Sequence, residues 1–166
     1  MANPSTTPEG SGPTGVPVPA ATLGAPIAYA LYRVARLHRM IAGNLLRRVG
    51  LHPTQEVLMM YLWELGPQRQ TDLVRLLDSD AATMTRTVQR LERAGFVRRS
   101  PDADDKRAYR IEATPAGRAL RPEVEQIWNE VEESIVGGVG QQERKTILRI
   151  LERTEERLTN AAESRV

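Results

Sequence analysis

From Ala82 to Arg93 the chain sets Ala82, Arg86, Gln89 and Arg93 at spacings of three and four, so on a helix they share one face. Met84, Val88 and Leu91 fall on the opposite face. The first set supplies guanidinium forks, an amide and a methyl-sized side chain that lets a backbone come close. Such groups hydrogen-bond base edges and phosphates, so their chemistry is nucleic-acid recognition. Nucleophilic and metal chemistry find no comparable support. The chain has no cysteine, which removes disulfides, thiolate metal sites and thiol redox switches. His38 and His52 are not set as a base beside a nucleophile, and no Gly-rich phosphate loop, HExxH, nucleophile elbow or metal-spaced cluster occurs. The expectation is a binding protein rather than an enzyme, with no catalytic residues, no metal and no cofactor.

A reading face of this kind has to be held by neighbouring elements, and the flanking sequence supplies them. Asp78, Ser79 and Asp80 offer turn and cap oxygens ahead of the helix, with Asp80 as the expected N-cap, and Gly95 ends it. Residues 71–77 form a short helix with Leu73, Leu76 and Leu77 inward. Phe96 and Val97 begin a strand, 101–107 make a polar loop, and 108–113 return with Tyr109 and Ile111 on one face. Short helix, turn, longer helix and arginine-rich hairpin make a winged helix-turn-helix, a mainly α fold with a small β-hairpin wing.

Outside this motif the chain is helical. Proline, glycine, serine and threonine dominate 1–24, which reads as a disordered arm. A long helix over 26–49 carries a seam of Ile27, Leu31, Val34, Ile41 and Leu45, with His38 in its gap. Pro53 opens a second helix over 53–65, apolar on nearly all sides and therefore expected between two layers. Thr114-Pro115 starts one helix over 115–136, striped by Leu120, Val124, Ile127, Val131 and Ile135. After Gly137, Gly138 and Gly140 a last helix covers about 141–159. The long N- and C-terminal helices have too little monomer to cover, which predicts a homodimer. The division is then an arm at 1–24, a dimerisation region at 25–49 and 115–160, and a DNA-binding domain at 50–114.

Composition narrows the partners. Net charge is only +2, so a nucleic-acid footprint must come from segregated charge. Arg86, Arg90, Arg93, Arg98, Arg99, Lys106, Arg107 and Arg110 crowd the centre, while Glu123, Glu125, Glu130, Glu132 and Glu133 make the following helix acidic. No apolar run approaches the roughly 18 residues of a membrane span, and the first residues lack a secretory signal, so the expected compartment is the cytoplasm.

The order of elements over about 27–158, Thr85-Arg86, the run Leu91-Glu92-Arg93-Ala94-Gly95-Phe96-Val97, and Asp104-Asp105-Lys106-Arg107 followed by Thr114-Pro115-Ala116-Gly117 together resemble the MarR family of bacterial transcription regulators. The resemblance implies a recognition helix in the major groove and a wing-tip arginine in the minor groove. It places Ala82, Thr83, Thr85, Arg86, Gln89 and Arg90 at the groove, with Lys106 and Arg107 on the wing and Asp105 bracing Arg107. The chain departs from the family's pattern at Ala113-Thr114, where leucine-threonine is usual, and at His52, where a threonine or serine commonly caps the second helix. The implied function is a ligand-responsive repressor that binds a pseudo-palindromic double-stranded DNA operator as a homodimer. A small aromatic acid is the implied effector, bound where the first helix, the second helix and the helix after the wing converge, with Arg33, His38, Met59 and Trp63 as this chain's candidates. The competing reading is a winged helix used only as a protein-interaction module. A charged outer face argues against it, because protein interfaces deplete charge at their centres.

Overall fold

The computed structural model describes residues 18–102 and 109–164. Most of the expected arm, and the wing-tip residues Asp105, Lys106 and Arg107, lie outside the described residues. The arm's last part contains a single 3-10 turn, Ala20–Thr22.

Helix α1, Pro26–Leu46, starts on a proline suited to a first turn and runs on through a 3-10 turn, Arg47–Val49, to Gly50. Gly50 has φ 75°, the left-handed conformation that ends a helix without a Cβ clash. The C-terminal part of α1 is the buried part: Ala42, Leu45 and Leu46 enter the core, whereas Ile27, Val34 and Met40 are exposed. Helix α2, Gln55–Leu65, begins at Gln55 rather than at Pro53. Thr54 before it is left-handed (φ 77°) and contributes no cap bond. Gln55 closes the start instead, its Oε1 accepting from the His52 N–H at 2.9 Å while its own N–H donates to the His52 carbonyl at 3.0 Å. Leu58, Met59 and Leu62 of α2 are buried, but Met60 and Leu65 are exposed. Helix α2 therefore lies between β3 and the later helix layer, as the sequence suggests, with one flank left open in the single chain.

Strand β1, Gln68–Arg69, is a short element with no apolar alternation to announce it. It leads directly into α3, Gln70–Leu76, and then α4, Ala81–Arg93. Leu73 of α3 is buried, while Leu76 is exposed, contrary to the expected inward triplet. Strands β2, Val97–Pro101, and β3, Tyr109–Ala113, form an antiparallel ladder pairing Val97 with Ala113 and Arg99 with Ile111. β1 adds to the other edge of β3, pairing Gln68 with Ile111, so the sheet order is β1-β3-β2. Ile111 is buried, but Tyr109, on the same face, is exposed because it lies beyond the core.

The region after the wing is two helices, α5, Pro115–Ala119, and α6, Arg121–Val136, not the single expected one. Pro122 has no N–H for the Arg118 carbonyl, so the ladder breaks and restarts with Pro122 in a first turn. Val124, Ile127 and Val131 of α6 face the core as expected, but Ile135 is exposed and Val136 takes the buried place. The last helix, α7, Gln141–Glu163, extends past the expected end and has no buried residue. One core, built from α1, α2, α3, α4, the sheet and α6, holds everything else.

Candidate nucleic-acid interface

The recognition face depends on how α4 is fixed at both ends. At its start the Asp80 carboxylate accepts from the Thr83 N–H and the Thr83 hydroxyl, both at 2.7 Å. These bonds hold the Asp80 carboxyl below its usual pKa, the Thr83 hydroxyl being the largest cause. At its end Gly95 is left-handed, its N–H bonding the Glu92 carbonyl and the Phe96 N–H bonding the Leu91 carbonyl, a Schellman closure. Met84, Val88 and Leu91 are essentially inaccessible in between. The helix cannot rotate without exposing them, so the opposite face is fixed in direction.

That face carries Ala82, Thr83, Arg86, Gln89, Arg90 and Arg93, all exposed. Arg86 reaches back to the Thr83 hydroxyl, at 3.5 Å, near enough to the Asp80 carboxylate to help hold it ionised, and among the described residues Arg86, Arg90 and Arg93 form no salt bridge. Neighbouring guanidinium groups are neutralised: Arg98 pairs with Glu112 at 2.6 Å and Arg99 with Glu92 at 3.5 Å. Positive charge is thus left in excess on the helix face and cancelled on β2. Thr85 is different. It is half-buried, its hydroxyl donating to the Ala81 carbonyl at 2.8 Å and accepting from Gln70 Nε2 at 2.8 Å, so it ties α3 to α4.

Sequence reasoning missed the anchor of the wing. Asp102, with no side-chain exposure, accepts from Arg69 Nε at 2.8 Å and Arg110 Nε at 2.9 Å on the same oxygen. It fastens the start of the wing loop to β1 and β3. A proline-aspartate pair beside arginines was the available signal, but Arg69 lies 33 residues away and nothing local marks it as the partner.

The effector candidates are not brought together. Met59 is enclosed in the core, with its methyl against Gly117. Arg33 stacks over the Tyr29 ring at 5.2 Å. His38 packs on Trp128, ring centroids 6.0 Å apart, over a void of about 10 Å³ that it shares with Glu56. The junction of α1, α2 and α6 is therefore filled, because Trp128 and the core side chains occupy it. Of the four, Trp63 is the one that lines two adjoining open clefts, of about 310 and 420 Å³. Its Nε1 donates to the Gly117 carbonyl at 3.1 Å, which fixes the indole.

Comparisons with known proteins agree with this architecture. Residues 51–109 match the model of the MarR family. A probable transcriptional regulator from Pseudomonas aeruginosa is similar at 32% identity and a TM-score of 0.71, over 80% of this chain and 98% of its own. A MarR transcriptional regulator from Methanosarcina mazei Go1 is 27% identical with a TM-score of 0.73, over 81% and 96% of the two chains. BpsR of Bordetella bronchiseptica, solved to explain regulation of its DNA binding by 6-hydroxynicotinic acid, is 26% identical with a TM-score of 0.71, over 80% and 95%. With a winged helix-turn-helix of this geometry and these relatives, the chain belongs to the MarR family of transcriptional regulators.

Proposed function

We propose that this protein is a cytoplasmic repressor that binds a pseudo-palindromic operator as a homodimer and releases it when a small aromatic acid binds. Members of its family are transcription regulators, not enzymes. The observation that carries the DNA-binding reading is the exposed face of α4, where Arg86, Arg90 and Arg93 form no salt bridge among the described residues and stand opposite a fully buried stripe. In this reading Ala82, Thr83, Arg86, Gln89 and Arg90 meet the major groove, and Thr85 braces the helix that carries them. Lys106 and Arg107 on the wing meet the minor groove, with Asp105 bracing Arg107. The dimer reading is supported by apolar residues left uncovered on α1 and α7, among them Ile27, Val34, Leu148, Leu151 and Leu158. The effector reading is supported by BpsR, whose DNA binding 6-hydroxynicotinic acid regulates.

Fluorescence anisotropy on the DNA flanking the protein's own gene tests the proposal, with a scrambled duplex as control and salt as a variable. Selective binding that weakens steeply with salt is expected, because each neutralised phosphate adds about 0.9 to the log–log slope. Arg107→Ala is expected to lower that slope by about one unit. Binding that is absent, or equal on both duplexes, would remove the regulator reading.

A further inference from the structure

Helix α7 joins the rest of the chain through a turn that its own sequence leaves loose. Gly137, Gly138 and Gly140 are three of the four residues between α6 and α7, and Gly138 is left-handed at φ 78°. No residue of α7 is buried, so the core does not hold its direction. Polar contacts do so at one place. Among the described residues, Arg144 is the one α7 side chain with a hydrogen bond or ion pair outside its own helix. From the first turn it reaches back across the glycines, donating Nε to the Val139 carbonyl at 3.0 Å and Nη2 to the Val136 carbonyl at 2.9 Å. The Glu133 carboxylate stands 3.9 Å from the same Nη2. The last carbonyls of a helix lack partners and carry the negative end of its dipole, and a guanidinium answers both. Two donors in one plane, on carbonyls of the α6 end and of the turn, also fix an orientation that a single contact would leave free.

We propose that Arg144 is a positioning residue for operator binding: its clamp on the α6–α7 turn sets the angle at which α7 leaves the body, and hence the separation of the two recognition helices in the dimer. The proposal rests on the dimeric, operator-binding reading above and names the residue that gives that dimer its spacing. Length amplifies the angle. Helix α7 has 23 residues and is about 34 Å long, so a swing of about 10° moves its far end by about 6 Å. That exceeds the about 3.4 Å between successive base pairs. The rest of the path is stiff. Val124, Ile127 and Val131 of α6 share one core with Met84, Val88 and Leu91 of α4, so α6 and the reading face move together. Leu148, Leu151 and Leu158, the residues offered to a second copy, lie on the other side of the glycines. The glycine turn is therefore the joint between what reads DNA and α7, and Arg144 stiffens it.

The chain has no cysteine, so Ala94→Cys at the exposed end of α4 takes a single spin label per copy of the full chain. Distances between the two labels then read the spacing without DNA. The protein with Arg144 intact should give one narrow distribution, and Arg144→Ala should spread it by about 6 Å or more, the reach of a swing of about 10°. Light scattering should still show a dimer, and circular dichroism melts should change little, because α7 lies outside the core. Arg144→Lys keeps the charge but loses the two-donor plane, so its distribution should fall between the two, and it carries the test should Arg144→Ala not fold. Glu133→Gln should behave as wild type, its contact being long and exposed. A second readout uses the operator, mapped by footprinting, with its half-sites moved one base pair closer or farther. Wild type should lose about tenfold or more in affinity for such duplexes and Arg144→Ala about threefold or less, while both bind an isolated half-site equally. The same distance distribution in Arg144→Ala as in wild type, full spacing selectivity in that variant, or its conversion to a monomer overturns the clamp and leaves the dimer reading standing. A wild type that gives no distance between labels is a monomer, and that result overturns both.

Discussion

Arg86 sits one helical turn into α4, near the Asp80 cap but in no salt bridge among the described residues, so its fork is available to a base edge. Arg86→Ala should therefore relax preference at one operator position and cost about 1–3 kcal/mol in binding, read by anisotropy across single-base operator variants. This residue, the Asp80 cap and the buried Met84–Val88–Leu91 stripe were legible in the sequence because helical period and cap chemistry are local signals. Glu56 was not. Its carboxyl is buried beside His38 and Trp128, and Oε2 has no hydrogen-bond partner. Nothing within a helical turn of Glu56 foretells that, since the residues enclosing it come from α1 and α6. Desolvation raises the Glu56 pKa above its usual 4.5, against the opposing pull of backbone N–H groups near the start of α2. A carboxyl that binds its proton more tightly when folded favours folding below about pH 4.5, and this contribution is lost as pH rises through the raised value. Glu56→Gln should accordingly raise stability at pH 7 by on the order of 1 kcal/mol and flatten the dependence between pH 4.5 and neutrality. Urea melts at pH 4.5 and 7 measure both, and a variant less stable at pH 7 would contradict the assignment of an unsatisfied acceptor.

At the scale of elements, the boundaries that sequence reasoning misplaced have two causes: a local signal passed over, and a contact from elsewhere in the chain. Periodicity carries straight through Leu120, yet α5 and α6 separate there, because Pro122 cannot donate and Gly117 binds α5 to the chain after α4. The two-residue strand β1 exists only because β3 offers a free edge, so no pattern of its own could reveal it. Helix α2 lies between two layers, as its composition suggests, with Met60 and Leu65 uncovered in the single chain. The junction of α5 with the wing is the most sensitive of these contacts. At Gly117 an added methyl meets the Phe96 carbonyl and the Met59 methyl, and one of these is backbone that cannot step aside. Gly117→Ala should cost stability near the upper end of the about 1–3 kcal/mol typical of overpacking. It should also disturb the Trp63–Gly117 bond, so the emission of Trp63 is expected to shift together with the melting temperature. A variant as stable as wild type with unchanged emission would mean that α5 is not pressed against Phe96.

For the whole molecule the informative feature is what the single chain leaves uncovered. Helix α7 is the longest element, carries Leu148, Ile150, Leu151 and Leu158, and has no buried residue. The start of α1 likewise exposes Ile27 and Val34. An element that adds nothing to the core of its own chain has to recover its ordering entropy elsewhere, and the terminal helices of a second copy are the proposed place. Because the core does not use α7, removing it should spare the fold and act on assembly alone. A chain ending at Gly140, or the full chain with Leu151→Glu and Leu158→Glu, is therefore expected to melt as a folded monomer in light scattering and circular dichroism. Its DNA binding should then fail in a particular way. One recognition helix reads one half-site, so the slope of log affinity against log salt should fall to about half, as half the phosphate contacts disappear. Selectivity for a palindrome over a single half-site should vanish with it. A folded monomer that kept the full slope and full selectivity would show that α1 and α7 have another partner, and that two-fold pairing is not how this protein reads DNA.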